Sequence, residues 1–186
     1  KWMEKGSFTA AYQNIKESRV ERKFDSFDRS SEMEDVDVYS INGDFTAVID
    51  TKVPKNFGYG FEVAYNDVNS DSKGEVLDVE GNKIIGIKDY YQVQTRYPDG
   101  GSSYLSSALY ASYRQDLGEK STLNTGIRLT NTVLTAKWID TTYFTLPDSD
   151  VKTMNTAVTA TIGYVYKPSL NWQFNGVLSS GFRSPN

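Results

Sequence analysis

The sequence predicts an all-β fold: an antiparallel up-and-down meander of about seven long strands, part of a larger transmembrane β-barrel. Three observations carry that expectation. Apolar and polar residues alternate strictly along several segments, as in Tyr59, Phe61, Val63 and Tyr65 against Gly60, Glu62, Ala64 and Asn66. A period of two is the mark of an extended strand with two unlike faces. Most of these segments reach the roughly 9–11 residues of a tilted spanning strand, beyond the roughly 5–6 usual in globular sheets. Aromatics also gather beside the short connections, where a barrel needs them at the boundary of lipid and water.

The first strand is expected over about Ser7–Phe24, with Phe8, Ala10 and Tyr12 on one face. Its alternation degrades after Asn14, where Lys16, Glu17, Arg19 and Glu21 suggest a strand leaving its apolar surroundings. Residues 25–33 read as a polar connection. The second strand, about Glu34–Asp50, sets Tyr39, Ile41, Phe45 and Ala47 against Ser40, Asn42, Asp44 and Thr46. A turn over Thr51–Asn56 holds Pro54, tolerated where no ladder bond is needed. The third strand, about Phe57–Val68, ends in a long polar segment, 69–103. Within that segment Asp78–Lys83 reads as a small hairpin tip and Pro98-Asp99-Gly100-Gly101 as a turn.

The fourth strand, Tyr104–Leu117, turns at Gly118-Glu119-Lys120-Ser121 into the fifth, Thr122 to about Leu134. A second long connection covers 136–153. The sixth strand, Met154–Lys167, turns at Pro168-Ser169 into the seventh, Asn171–Arg183. Long and short connections therefore alternate, which places every short turn at one end. Phe57, Tyr59, Phe61, Tyr113, Tyr164, Tyr166, Trp172 and Phe174 flank the short ends, and Trp2 and Phe8 sit similarly at the opening turn.

Composition narrows the function classes. Lys1-Trp2 at one end and Ser184-Pro185-Asn186 at the other look cut, so residues 1–186 are expected to be an internal piece of a barrel domain. With Cys 0 there is no disulfide framework or thiolate site, and His 0 removes the commonest metal ligand and general base. We therefore expect no enzyme, no metal and no cofactor. A net charge of −4 without a basic run argues against nucleic acid. No stretch approaches the roughly 20 apolar residues of a membrane helix. Mean hydropathy is −0.52, which barrel strands tolerate because they offer lipid every second residue. The alternative is a soluble antiparallel β domain for carbohydrate or protein binding, which also alternates. Against it, the polar faces are small and uncharged near mid-strand, as at Gly60, Ala64, Ser106, Ala108, Gly126 and Thr159.

Candidate site residues fall in two groups. Tyr90, Tyr91, Arg96 and Tyr97, with Asp99, give the 69–103 loop the mixed aromatic and charged character of a ligand-contact surface. Arg114, Arg128 and Arg183 fall on polar strand faces, where they either line a lumen or pair with carboxylates of neighbouring strands. The acidic runs Glu32–Asp37 and Asp148–Asp150 read as solvated loop mouths. Asp35 and Asp37 share a strand face at a spacing that could bind Ca²⁺.

Several stretches resemble the middle of the barrel of TonB-dependent outer-membrane receptors, particularly those of the Bacteroidetes. They are GSFTAAYQNIKESRVERKF (6–24), EDVDVYSINGDF (34–45), RYPDGGSSYLSSALYASYRQDL (96–117) and NWQFNGVLSSGFRSPN (171–186). The most specific element, Gly181-Phe182-Arg183-Ser184-Pro185-Asn186, is similar to the family's FRAP-type box, with Ser184 where haem receptors usually carry Ala. The resemblance implies a Gram-negative outer-membrane location and a parent barrel of about 22 strands around an N-terminal plug domain. It further implies import of a scarce nutrient, such as a siderophore or haem iron complex or a corrinoid. The implied partners are outer-membrane lipid, the plug domain, a TonB complex reached through the missing N-terminal part, and an unidentified small molecule. Arg114, Arg128 and Arg183 would then contact the plug or steer an anionic ligand.

Overall fold

The computed structural model describes residues 3–50, 55–142 and 148–183. Trp2, the turn residues Thr51–Pro54, residues 143–147 and Ser184-Pro185-Asn186 lie outside the described residues. Eight strands form one antiparallel sheet: β1 (Lys5–Arg22), β2 (Asp28–Asp50), β3 (Lys55–Glu80), β4 (Lys83–Tyr91), β5 (Ser102–Asp116), β6 (Ser121–Lys137), β7 (Asp150–Ser169) and β8 (Trp172–Ser179). The order is β1-β2-β3-β5-β6-β7-β8, with β4 folded back on the far half of β3, and the sheet curls into a half-barrel. Among the described residues no helix is long and apolar enough to cross a membrane, which says nothing of strands.

The meander confirms the expected strand succession and corrects three of its details. The sheet has eight strands, because 83–91 forms β4 within the segment read as a long loop. β3 does not end near Val68: it continues to Glu80, pairing with β2 as far as Asp28↔Val76 and with β4 from Gly74↔Tyr91 to Glu80↔Lys83. The supposed loop 25–33 shrinks to 23–27, since β1 and β2 stay paired up to Arg22↔Arg29. The physical reason is common to all three. Beyond Tyr12, Tyr39 and Tyr65 polar and charged residues stand on both faces, and apolar ones such as Ile15, Val36 and Val68 change face, so the alternation fades while the backbone ladder persists. The seventh strand of the sequence reading, β8 here, stops at Ser179, which leaves Arg183 beyond its end.

Short connections lie at the end we call lower (51–54, 117–120 and 170–171). The upper end carries the β1–β2 connection, the β3–β4 hairpin and the longer segments 92–101 and 138–149. Gly81 holds φ at +60° in the hairpin tip and Gly118 holds +76° in the β5–β6 turn, a region open to glycine at little cost.

This sheet is one layer thick. Among the described residues the buried hydrophobics are Ala47, Leu77, Ala108 and Ala136, and Leu77 alone is a large side chain essentially removed from water, at 1% exposure. The accessible surface is 13154 Å². A compact folded chain of 20.9 kDa would expose about 9,000 Å². The difference is apolar to a large degree: Phe8, Ile41, Val63, Leu109, Leu129, Val158, Ile162 and Leu178 are all exposed.

Where bulky side chains cross the sheet, small residues make the room. Tyr110 reaches across β3 above Gly60, and a Cβ at Gly60 would stand 2.4 Å from the Gly43 carbonyl oxygen and 2.6 Å from the Tyr110 ring. Gly176 meets nothing within 4 Å. Gly60→Ala is therefore expected to destabilise the sheet by about 1–3 kcal/mol through overpacking. Gly176→Ala is expected to be neutral or slightly stabilising, because alanine restricts the unfolded chain. Denaturant midpoints of the two variants in the same detergent test the contrast.

Candidate functional site

Directly opposed residues in an antiparallel ladder share a face, so the register sorts the sheet into two surfaces. The apolar surface carries Tyr12, Ala10 and Phe8 from β1, Tyr39, Ile41 and Phe45 from β2, and Phe57, Tyr59, Phe61, Val63 and Tyr65 from β3. β5, β6 and β7 continue it with Leu109 and Ala111, Leu129 and Ile127, and Val158, Ala160, Ile162, Tyr164 and Tyr166.

This apolar band has sharp edges. Its upper edge on β1–β3 is a row of three rings, with centroids 5.0 Å apart for Tyr12–Tyr39 and 6.4 Å for Tyr39–Tyr65. The next positions on the same face are Asn14, Asp37 and Asp67, then Lys16, Asp35 and Asn69. Tyr12 donates through its hydroxyl to Asp37 at 2.7 Å, and Asn14 bridges Asp35 and Asp37 at 2.7 and 2.8 Å. Lys16 closes on Asp35 at 3.0 Å, which draws the Asp35 carboxyl below its ordinary range and raises Lys16. The Asp35/Asp37 pair considered as a Ca²⁺ site is thus supplied with internal partners. The lower edge holds Phe45 stacked on Tyr59 at 5.3 Å and Trp172 stacked on Phe174 at 6.1 Å.

The band also slants. Tyr65 registers with Leu105, Val133 and Met154, but below that row β5–β7 place Ser107, Asn131 and Thr156 on the apolar surface. Continuous apolar character resumes on β7 at Val158, four residues from Met154 (158 − 154). At the lower edge Phe57 registers through Tyr113 and Thr125 with Ile162, while the β7 aromatics run on to Tyr166, again four residues (166 − 162). Four residues are about 14 Å, against three strand spacings of about 14 Å from β3 to β7, or five of about 24 Å from β1. The slant is roughly 30–45°, bracketing the roughly 35–45° strand tilt of membrane barrels. From Phe57 to Tyr65 the band measures about 27 Å along the strand, or about 20 Å once tilted, close to the apolar height of roughly 25 Å in such barrels.

The opposite surface is polar and largely self-satisfied. Tyr110 donates to Asp44, Asn42 donates to Asp44 at 3.3 Å, and Arg128 lies 3.4 Å from Glu62 and 5.6 Å above the Tyr110 ring. Arg128 therefore adopts the strand-to-strand pairing, one of the two arrangements the sequence allowed. Arg114, also on this surface, registers with Asn56 and Asn124 and has no ion pair among the described residues. Arg183 is exposed and outside any strand.

Residues 92–101 form a strap across the upper polar surface. Ser72 donates to the Val93 carbonyl at 2.5 Å, the Tyr97 amide donates to Ser70 at 3.4 Å, and Arg96 approaches Glu17 at 3.5 Å. Asp99 fixes the strap's far end by accepting the amides of Ile139 and Asp140, both at 2.8 Å. Arg96 and Tyr97 thus share a location, with the guanidinium 5.7 Å from the ring centroid. Tyr90 and Tyr91 belong to β4 instead, on opposite faces: Tyr91 covers Gly74 on the polar side, and Tyr90 registers with Glu75 on the other. Sequence reasoning grouped the four by proximity in the chain. It read Glu34 within a solvated acidic run, whereas the residue lies in β2, 5% exposed, on the polar surface between Glu17 and Ser70, and it missed the tyrosine row, whose members are brought together by register alone. Among the described residues no group of three or more acidic side chains converges as a metal centre.

The upper extension is held by two half-exposed cations closing on a buried carboxylate. Glu75, 4% exposed at its side chain, receives Arg29 at 2.5 Å and Lys73 at 3.2 Å. Arg29 first, then Lys73, hold the Glu75 carboxyl below the usual range. Its stabilising contribution is therefore present above the unfolded value of about 4.3 and is lost as pH falls through the lower folded value. Amide exchange of Leu77 and Val79, corrected for intrinsic rates, is expected to lose protection as pH drops below about 4. Arg29→Met is expected to lose protection severalfold already at pH 7 and to show a flatter acid limb, since it strands the carboxylate.

No protein-family model matches this sequence, and a search of curated proteins finds no relative.

Proposed function

We propose that this chain is part of the wall of an outer-membrane β-barrel that admits a small nutrient, with no chemistry of its own. The carrying observation is the slanted, aromatic-edged apolar band on a sheet one layer thick. A soluble sheet has to cover its apolar face with a second layer, and no element among the described residues lies on this one. Lipid would cover the band, with Tyr12, Tyr39 and Tyr65 toward the outside and Trp172, Phe174 and Tyr166 toward the periplasm, as the side of the short turns suggests. The two sheet edges, β1 and β8, would pair with further strands of the parent, since closure alone removes edges in a membrane.

On this reading the polar surface faces the lumen. Asp44, Tyr110, Arg128 and Glu62 give it fixed donors and acceptors, and Arg114 offers a cation for a plug carboxylate or an anionic ligand. The strap would border the outer mouth, with Arg96, Tyr97 and Tyr91 available to an incoming molecule. The resemblance to TonB-dependent receptors supports energised import of an iron complex or corrinoid. Nothing among the described residues favours the soluble carbohydrate- or protein-binding reading over this one.

Two measurements test the proposal. Cells producing the full-length protein should yield it in the outer-membrane fraction, released by detergent alone, and recovery in the soluble fraction would refute the barrel. Ile162, at the middle of the β7 band, is half-exposed and lipid-facing on this reading. Ile162→Arg is expected to cost about 2–4 kcal/mol in a membrane-inserted barrel, whereas an exposed position in a soluble domain shifts by about 0.5 kcal/mol or less. Thr161→Arg, on the polar surface, serves as the near-neutral control.

A further inference from the structure

We propose that Glu34 and Glu17, beneath the strap, bind a divalent cation of the calcium type. The two glutamates and Ser70 stand in line across three adjacent strands, Glu17 opposite Glu34 and Glu34 opposite Ser70, all on the polar surface. The strap touches the outer two members of this line, through Arg96 to Glu17 and Tyr97 to Ser70, so Glu34 lies under it. Glu34 is 5% exposed, and both its carboxylate oxygens are closed to water and lack a hydrogen-bond partner.

That arrangement is unfavourable as it stands. Like charges directly opposed on neighbouring strands repel, and a buried carboxylate with no partner carries the full cost of its lost hydration. Arg96 answers Glu17 at 3.5 Å, with Arg19 at 3.9 Å, and neither leaves an ion pair for Glu34. Of the other acidic residues nearby, Asp35 and Asp37 project from the opposite face and have Lys16, Asn14 and Tyr12, while Glu32, on the same face, keeps access to water. Among the described residues Glu34 is the carboxylate of this cluster that has neither water nor a hydrogen-bond partner.

A small cation resolves both costs together. Opposed residues on adjacent strands have Cβ atoms roughly 4.5–5.5 Å apart, within the span one ion can bridge with two carboxylates. Calcium–oxygen distances of about 2.3–2.6 Å are shorter than hydrogen bonds to water, so an ion fits where a water-sized sphere does not. The Ser70 hydroxyl supplies a third oxygen, and hard oxygen donors without His or Cys select calcium or magnesium over transition metals. Two carboxylates and a hydroxyl make a lean donor set, which places the affinity in the range of extracellular modules, on the order of 10⁻⁴–10⁻³ M. Binding would tie β1, β2 and β3 together beneath the strap, and would compete with Arg96 for Glu17, independently of whether the sheet sits in a membrane.

Terbium luminescence tests this, because Tyr97 lies beside the site and can sensitise the ion. The full chain in detergent micelles should show saturable tyrosine-sensitised emission that millimolar Ca²⁺ displaces. Glu34→Gln should weaken binding at least tenfold with an unchanged far-UV spectrum, and Asp35→Asn should bind as the wild type does. Ca²⁺ should also change the rate of tryptic cleavage after Arg96 in the unmodified chain, because it competes with Arg96 for Glu17. Equal terbium affinity in Glu34→Gln, no saturable binding, or a cleavage rate indifferent to Ca²⁺ would each overturn the assignment.

Discussion

Everything else in this molecule follows from one constraint: its sheet has an apolar face that the described residues do not cover. A strand stack gains its ladder bonds without tertiary help, but any burial of Phe8, Ile41, Val63, Leu109, Leu129, Val158 and Ile162 has to come from outside the described residues. The face is bounded above by the tyrosine row, where Tyr12 donates its hydroxyl to Asp37. Tyrosine suits such an edge, being apolar along its body and polar at its tip. The boundary is thus chemical as well as positional.

The polar surface answers a different demand. Where a solvated sheet would leave charges to water, this one ties them to one another across strands, Asp44 to Tyr110 and Glu62 to Arg128. Gly60 makes that possible, since Tyr110 reaches Asp44 by lying over a position that has no Cβ. A small residue on β3 thereby fixes a side chain of β5 against one of β2, and the polar network acts as a brace across the curl.

The sequence disclosed much of the apolar face because alternation is a local signal: Tyr59–Tyr65 and Val158–Tyr166 announce their faces within a few residues. What it withheld depends on register. Tyr12, Tyr39 and Tyr65 become a row when three separate strands pair, and Glu17, Glu34 and Ser70 align in the same way. β4 and the far half of β3 escaped for another reason: Ser70–Gly74 carries polar or small residues on both faces, so it shows no alternation although ladder bonds hold it extended. Arg128 was legible as a polar-face residue, but its partner Glu62 sits two strands away and could not be picked out.

The upper extension then poses the question of why three strands outgrow their band. β1, β2 and β3 run well past the tyrosine row, and both ends of the strap are tied down, to Ser70, Ser72 and Glu17 at one end and to Ile139 and Asp140 through Asp99 at the other. A connection needed merely to join β4 to β5 would not have to recross the polar surface. Crossing there shortens the open span between β3 and the β6–β7 connection, and puts Arg96 and Tyr97 where anything approaching the polar surface from above meets them. Glu34 lies beneath that crossing as a charge without a counterpart, so the strap's grip on β1–β3 depends on how that charge is neutralised. The elongated strands are best understood as the support that holds this crossing in place.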